Sequence, residues 1–180
     1  IIEGDLVIFV VDGKSGLTAG DFSIANYLRK SERPIHLVVN KLEGRKSDFK
    51  HTEFFELGLG EPLPVSAEHG DGVREMIKKI LDSHKNSHNS GADLNVNNTH
   101  PTAEEIKLAI VGKPNVGKST LFNYLVGEDR AITFDLPGTT RDPITTSFCW
   151  EKEKYLLVDT AGIRRRSTKV DLPEKFSVIK

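Results

Sequence analysis

Nine consecutive residues, Gly112-Lys113-Pro114-Asn115-Val116-Gly117-Lys118-Ser119-Thr120, carry the clearest chemistry in the sequence. Their two glycines let the backbone curl until successive N–H groups, from Asn115 through Val116, Gly117 and Lys118 to Ser119, face inward on a polyphosphate. Lys118 adds a full charge for the β- and γ-phosphates, and Ser119 offers a hydroxyl to Mg²⁺. A helix opening at Ser119 and Thr120 would turn its positive end on the same anion. The flanks fit. Ile106–Val111 is a β-branched run that reads as a buried strand, and Leu121, Phe122, Leu125 and Val126 recur at helical spacing. A glycine-rich turn that binds nothing is the bland alternative, which a full motif between strand and helix disfavours. The chain, or its parent, is expected to bind a nucleoside triphosphate.

Two other stretches fall where an open parallel sheet binds ligands, at the carboxyl ends of strands. The predicted strand at 35–39 delivers Asn40-Lys41-Leu42-Glu43. The quartet resembles the guanine-recognition motif Asn-Lys-x-Asp of GTPases, with Glu43 where Asp is usual. A carboxylate there accepts the N1–H and exocyclic N2–H of guanine together, donors that adenine does not pair in that way. The extra methylene of Glu must be taken up by the loop, and a solvated turn after a strand remains the alternative. The strand predicted at 63–65 runs into Ser66-Ala67-Glu68-His69-Gly70, which resembles the second base-contacting loop, where a backbone N–H near Ala67 would meet guanine O6. A helix predicted over 49–57 joins the two motifs as a βαβ unit requires.

The elements that position these residues follow from periodicity. Thr18 caps a helix, with Asp21 in a capping-box position and Phe22, Ala25 and Leu28 on one face. Val73, Met76, Ile77, Ile80 and Leu81 form the apolar stripe of another. Strands are predicted at 6–11, 35–39, 63–65, 106–111, 144–150 and 155–158. The fold class is α/β: a P-loop NTPase with a mostly parallel sheet and helices on both faces. From 83 to 105 apolar periodicity disappears, and the stretch reads as an interdomain linker. His84 and His88 within it could hold a metal only with a third ligand, and otherwise belong to a polar tether.

Composition excludes several classes. The net charge of −1 exerts no general pull on nucleic acid or membrane, and Cys149, the lone cysteine, permits no disulfide framework or cysteine metal set. No apolar run approaches membrane-spanning length. A cytoplasmic location is expected. Ile1 is not Met and a core strand begins almost at once, so the chain is expected to be cut from something longer.

The remaining motifs carry a resemblance. Pro137-Gly138-Thr139-Thr140-Arg141-Asp142, Asp159-Thr160-Ala161-Gly162-Ile163-Arg164-Arg165-Arg166 and Glu174-Lys175-Phe176-Ser177-Val178, together with Pro-Asn-Val-Gly-Lys-Ser-Thr, resemble the Der (EngA) family of bacterial GTPases with two tandem G domains. Gly-Leu-Thr, Leu-Gly-Leu-Gly-Glu-Pro and Ser-Ala-Glu-His-Gly in the first half are similar to the rear of that family's first G domain. The resemblance implies that 1–82 is the rear half of a first G domain, with its base loops, 83–105 the linker, and 106–180 the front half of a second, with phosphate loop and switches. It also implies hydrolysis of GTP to GDP and a role in assembly of the large ribosomal subunit. Lys118, Thr140 and Gly162 would act on the γ-phosphate, and Ser119, Thr140 and Asp159 on Mg²⁺. Ile163 stands where many GTPases place a water-orienting Gln. In relatives with such a substitution, K⁺ held partly by the residue matching Asn115 supplies charge, so K⁺ is an expected cofactor. Asn115 could instead only shape its loop, and Arg164 to Arg166 could contact RNA or simply solvate it.

Base loops first and phosphate loop second is the order of a circularly permuted G domain. Two readings therefore stay open: one composite nucleotide site, or two incomplete domains whose interfaces suit lost partners, with complementation by a second copy a variant of the latter. Independently of that choice, two functions stay open: a slow GTPase and a nucleotide-controlled ribosome-binding module.

Overall fold

A computed structural model of the chain describes residues 4–43, 51–89, 105–127, 146–151 and 153–158. Six strands are Leu6–Asp12 (β1), Ile35–Asn40 (β2), Leu63–Pro64 (β3), Ile106–Val111 (β4), Thr146–Trp150 (β5) and Glu153–Val158 (β6). Helices are Ala19–Leu28 (α1), Val73–Asn89 (α2) and Lys118–Gly127 (α3), with a 3₁₀ helix at His51–Leu57. The strands form one sheet in the order β3-β2-β1-β4-β6-β5, parallel except for the β5–β6 hairpin.

The two open readings part at β1 and β4. These strands belong to different halves of the sequence, yet they pair in parallel from Leu6 opposite Leu108 to Phe9 opposite Val111. Leu6 through Val11 are all fully buried, as a central strand covered on both faces must be. On one face, Leu6, Ile8 and Val10 pack in a single cluster with the α2 stripe and with Leu108, Val116, Leu121, Phe122 and Leu125 of the second half. On the other, Val7, Phe9 and Val11 meet Ala25 and Leu28 of α1 and Phe54 and Leu57 of the 3₁₀ helix. The expected α/β architecture, with helices on both faces, is thus what the halves build together. Their seam is fitted: the Tyr124 ring lies against Gly70 and the Lys113 stem against Gly20, where any side chain would overlap them.

Strand ends shift by one or two residues, and two helical segments differ from expectation. The segment before β3 is 3₁₀ and not α, which places Phe54 and Leu57 in line three residues apart, both fully buried. Helix α2 continues to Asn89, so 83–89 is helix and not tether; the Ser83 hydroxyl donates to the Ile80 carbonyl at 2.7 Å, and polar residues on an open face need no burial to continue a helix. The side chain of His88 lies outside the described residues.

Candidate functional site

The carboxyl ends of β1, β2 and β3 converge on the loop that follows β4. Asn40, the last residue of β2, is only 2% exposed, and its amide reaches in two directions. Its Nδ2 donates to the carbonyl of Val116 in the phosphate loop, and its Oδ1 accepts the Ala67 N–H of the second base loop, each at 2.9 Å. A buried amide costs free energy unless its groups find partners, and these partners lie in two other segments of the chain. One side chain therefore fastens both base loops to the phosphate loop. Gly117 makes room for it: a Cβ there would overlap the Asn40 amide, and its φ of +97° is one that glycine adopts without strain.

The Ala67 N–H, in the loop expected to face guanine O6, is held by Asn40. Ser66 closes its loop through its own N–H to the Asp71 carbonyl at 2.8 Å, and its buried hydroxyl has no hydrogen-bond partner among the described residues.

Lys41, at φ +70°, turns its ammonium back to Asp12 at the end of β1, 2.6 Å away. The other Asp12 oxygen accepts the N–H groups of Lys14 and Ser15 at 2.9 and 3.2 Å. Burial pushes the Asp12 carboxyl up, but the Lys41 ammonium and these two amides outweigh it and hold it below the usual carboxylate range. Glu43 is paired with Lys14 at 2.6 Å. That contact lowers the Glu43 pKa and raises that of Lys14. Glu68 and His69 stand close by, with ligating atoms within 4.8 Å of those of Glu43 and of each other.

The phosphate side is equally tied to the first half. Asn115 is left-handed at φ +63°, the curl that a nest of inward N–H groups requires. Lys118, the first residue of α3, donates from its ammonium to the Lys113 carbonyl across the loop, with Ser119 and Thr120 following in the first turn. The Lys113 ammonium lies 3.0 Å from Asp21 and also donates to the Thr18 hydroxyl. Asp21 is fully buried, and the same oxygen accepts the Thr18 N–H and hydroxyl at 2.9 and 2.7 Å. Thr140, Asp159 and Gly162, with Ile163 and the arginines after it, lie outside the described residues.

Structure thus joins Asn40 to Ala67 and to Val116 and Gly117 of the phosphate loop, with Lys41 held by Asp12, Glu43 by Lys14, and Glu68 beside Glu43. It adds Asp12, Lys14 and the Lys113–Asp21 link, which sequence reasoning had not placed at the site. Asp12-Gly13-Lys14 follows a buried strand directly, so its position at the carboxyl end of β1 was the signal available.

The sequence is similar to known proteins. Residues 107–180 match the family model described as 50S ribosome-binding GTPase. Over 178 residues, 99% of the chain, the sequence is 54% identical to GTPase Der of Burkholderia vietnamiensis (strain G4 / LMG 22486) and 53% identical to GTPase Der of Burkholderia cenocepacia (strain HI2424) and Burkholderia ambifaria (strain MC40-6). The chain spans 39% of the length of each of these relatives. No helix among the described residues is long and apolar enough to cross a membrane. Along nearly its whole length, then, the chain is a homologue of the GTPase Der proteins.

Proposed function

We propose that the chain binds GTP and GDP in one site made of a base half and a phosphate half, and that in a protein of the relatives' full length this machinery hydrolyses GTP. The observation that carries the reading is the Asn40 amide, shared between Ala67 of the base side and Val116 of the phosphate side. In this reading 1–82 derives from one G domain and 106–180 from a second, joined by the linker. Lys118 leaves the Lys113 carbonyl to meet the β- and γ-phosphates, while the loop amides and the α3 N-terminus hold the remaining charge. Water attacks the γ-phosphorus in line, and the bond to the β–γ bridging oxygen breaks. Mg²⁺ would be held by the Ser119 hydroxyl together with Thr140 and Asp159, and bound there it neutralises phosphate charge. Ser119 in the first turn of α3 suits that role by its chemistry and place.

Ile163 offers no hydrogen bond to a water, so unstimulated turnover should be slow, on the order of 10⁻⁴ to 10⁻² s⁻¹ by analogy with unassisted small GTPases. A monovalent cation near Asn115 is the available counter-charge. In the full-length protein, phosphate release is expected to rise with K⁺ and not with Na⁺ at equal ionic strength. Asn115→Ala should flatten the response while GDP affinity stays close to wild type; equal rates in the two salts would remove K⁺ from the scheme.

The description of the matching family supports a ribosomal partner. We infer that the GTP state associates with the large subunit in the cytoplasm, and that switch residues 137–142 and 163–169 change the surface offered as the γ-phosphate comes and goes. Recovery on large subunits should be greater with a GTP analogue than with GDP. Equal recovery would count against the switch and leave only the hydrolase.

A further inference from the structure

The base end of the site contains a feature that the guanine motif alone does not explain. Glu43 has one more methylene than the Asp usual at its position, and so one more rotatable bond with which to miss the base. The turn after β1 lies against the whole quartet. Asp12 holds Lys41, and the Gly13 N–H donates to the Asn40 carbonyl at 2.7 Å. Gly13 sits so close that a Cβ would come within 2.6 Å of Leu42 Cδ2 and 2.9 Å of the Asn40 carbonyl. Lys14 then reaches Glu43 at 2.6 Å, with its own backbone pinned by Asp12. Each residue of Asn40-Lys41-Leu42-Glu43 thus has a partner in Asp12-Gly13-Lys14.

We propose that Lys14 is a specificity-positioning residue: by holding one oxygen of the Glu43 carboxylate, it takes up the extra methylene and fixes the carboxylate plane on the N1–H and N2–H edge of guanine. This deepens the nucleotide-site reading and rests on it. A carboxylate oxygen has two lone pairs, so the oxygen that accepts Lys14 can still accept a base N–H. Glu68 stands beside Glu43, and its charge also acts on Lys14, so removing Lys14 takes away a cation that both carboxylates face. The Lys14 side chain is 61% exposed, and ion pairs this open add little to folding stability. Orientation can therefore be separated from folding.

The test is a double-mutant cycle on the whole chain with Lys14→Ala and Glu43→Asp, titrating GDP and inosine diphosphate, which lacks the exocyclic amine. Wild type should prefer GDP by about tenfold or more, within the range of one good bidentate base contact. Lys14→Ala should reduce that preference to about threefold or less with an unchanged Tm. The double variant should regain it, because the shorter Asp is oriented by the backbone alone. A preference that survives Lys14→Ala, or one lost to the same extent in the double variant, would overturn the proposal. If wild type itself shows no preference between the two nucleotides, the underlying site assignment fails first.

Discussion

Replacing Lys113 with Met is expected to lower the unfolding free energy by about 1–3 kcal/mol, the cost of losing a charged hydrogen bond at a buried carboxylate that keeps its two bonds from Thr18. That carboxylate is Asp21, whose side chain is 1% exposed and whose second oxygen has no hydrogen-bond partner among the described residues. Lys113 belongs to the phosphate loop and Asp21 to α1, so the lost contact also loosens the loop from the first half of the chain. Urea unfolding should show the midpoint falling in Lys113→Met and recovering in part when Asp21→Asn removes the stranded charge. A loss below about 1 kcal/mol, the ceiling for an exposed pair, would mean that the contact is solvated and does not join the halves.

Asn40→Ala is expected to act on both stability and binding. It orphans the Ala67 N–H and the Val116 carbonyl, at about 1–3 kcal/mol for each group that stays buried and unsatisfied. The base loop and the phosphate loop also lose the link that sets their spacing, so GDP affinity should fall by more than tenfold. Amide exchange gives a local check. The Ala67 N–H should exchange much faster in the variant than in wild type, while amides in the middle of β1 keep protection in proportion to overall stability. An Ala67 amide as protected as before would show that another acceptor holds it.

Much of the fold was legible because its signals are local. The buried runs of β1, β2 and β4, the stripe of α2 and the phosphate loop between strand and helix each depend on residues close in sequence, and each forms where periodicity places it. The boundaries that moved lack such signals. Residues 83–89 have no apolar face to mark a helix, and Phe54 with Leu57 fit an α or a 3₁₀ turn equally well from spacing alone. Asn40, Lys41 and Glu43 were identifiable by type, but their partners were not. Val116 lies 76 residues from Asn40, Lys113 lies 95 from Thr18, and Asp12 lies 29 from Lys41. The first two contacts exist only once β1 and β4 pair, which sequence reasoning had left open, while the third needs β1 beside β2. The Ala67 loop was legible as a base loop, but its hydrogen bond to the Asn40 side chain was not.

The claim that everything else depends on is that Glu43 in the first half and Lys118 in the second serve one bound nucleotide. The direct measurement is a titration of the whole chain with GDP and ADP, repeated on Glu43→Ala and Lys118→Ala. GDP should bind in preference to ADP, Glu43→Ala should erode that preference by about 1–3 kcal/mol of discrimination, and Lys118→Ala should show no measurable binding of either nucleotide. Weak binding that does not distinguish the bases, unchanged by Glu43→Ala, would contradict that claim and return the halves to two separate, incomplete domains.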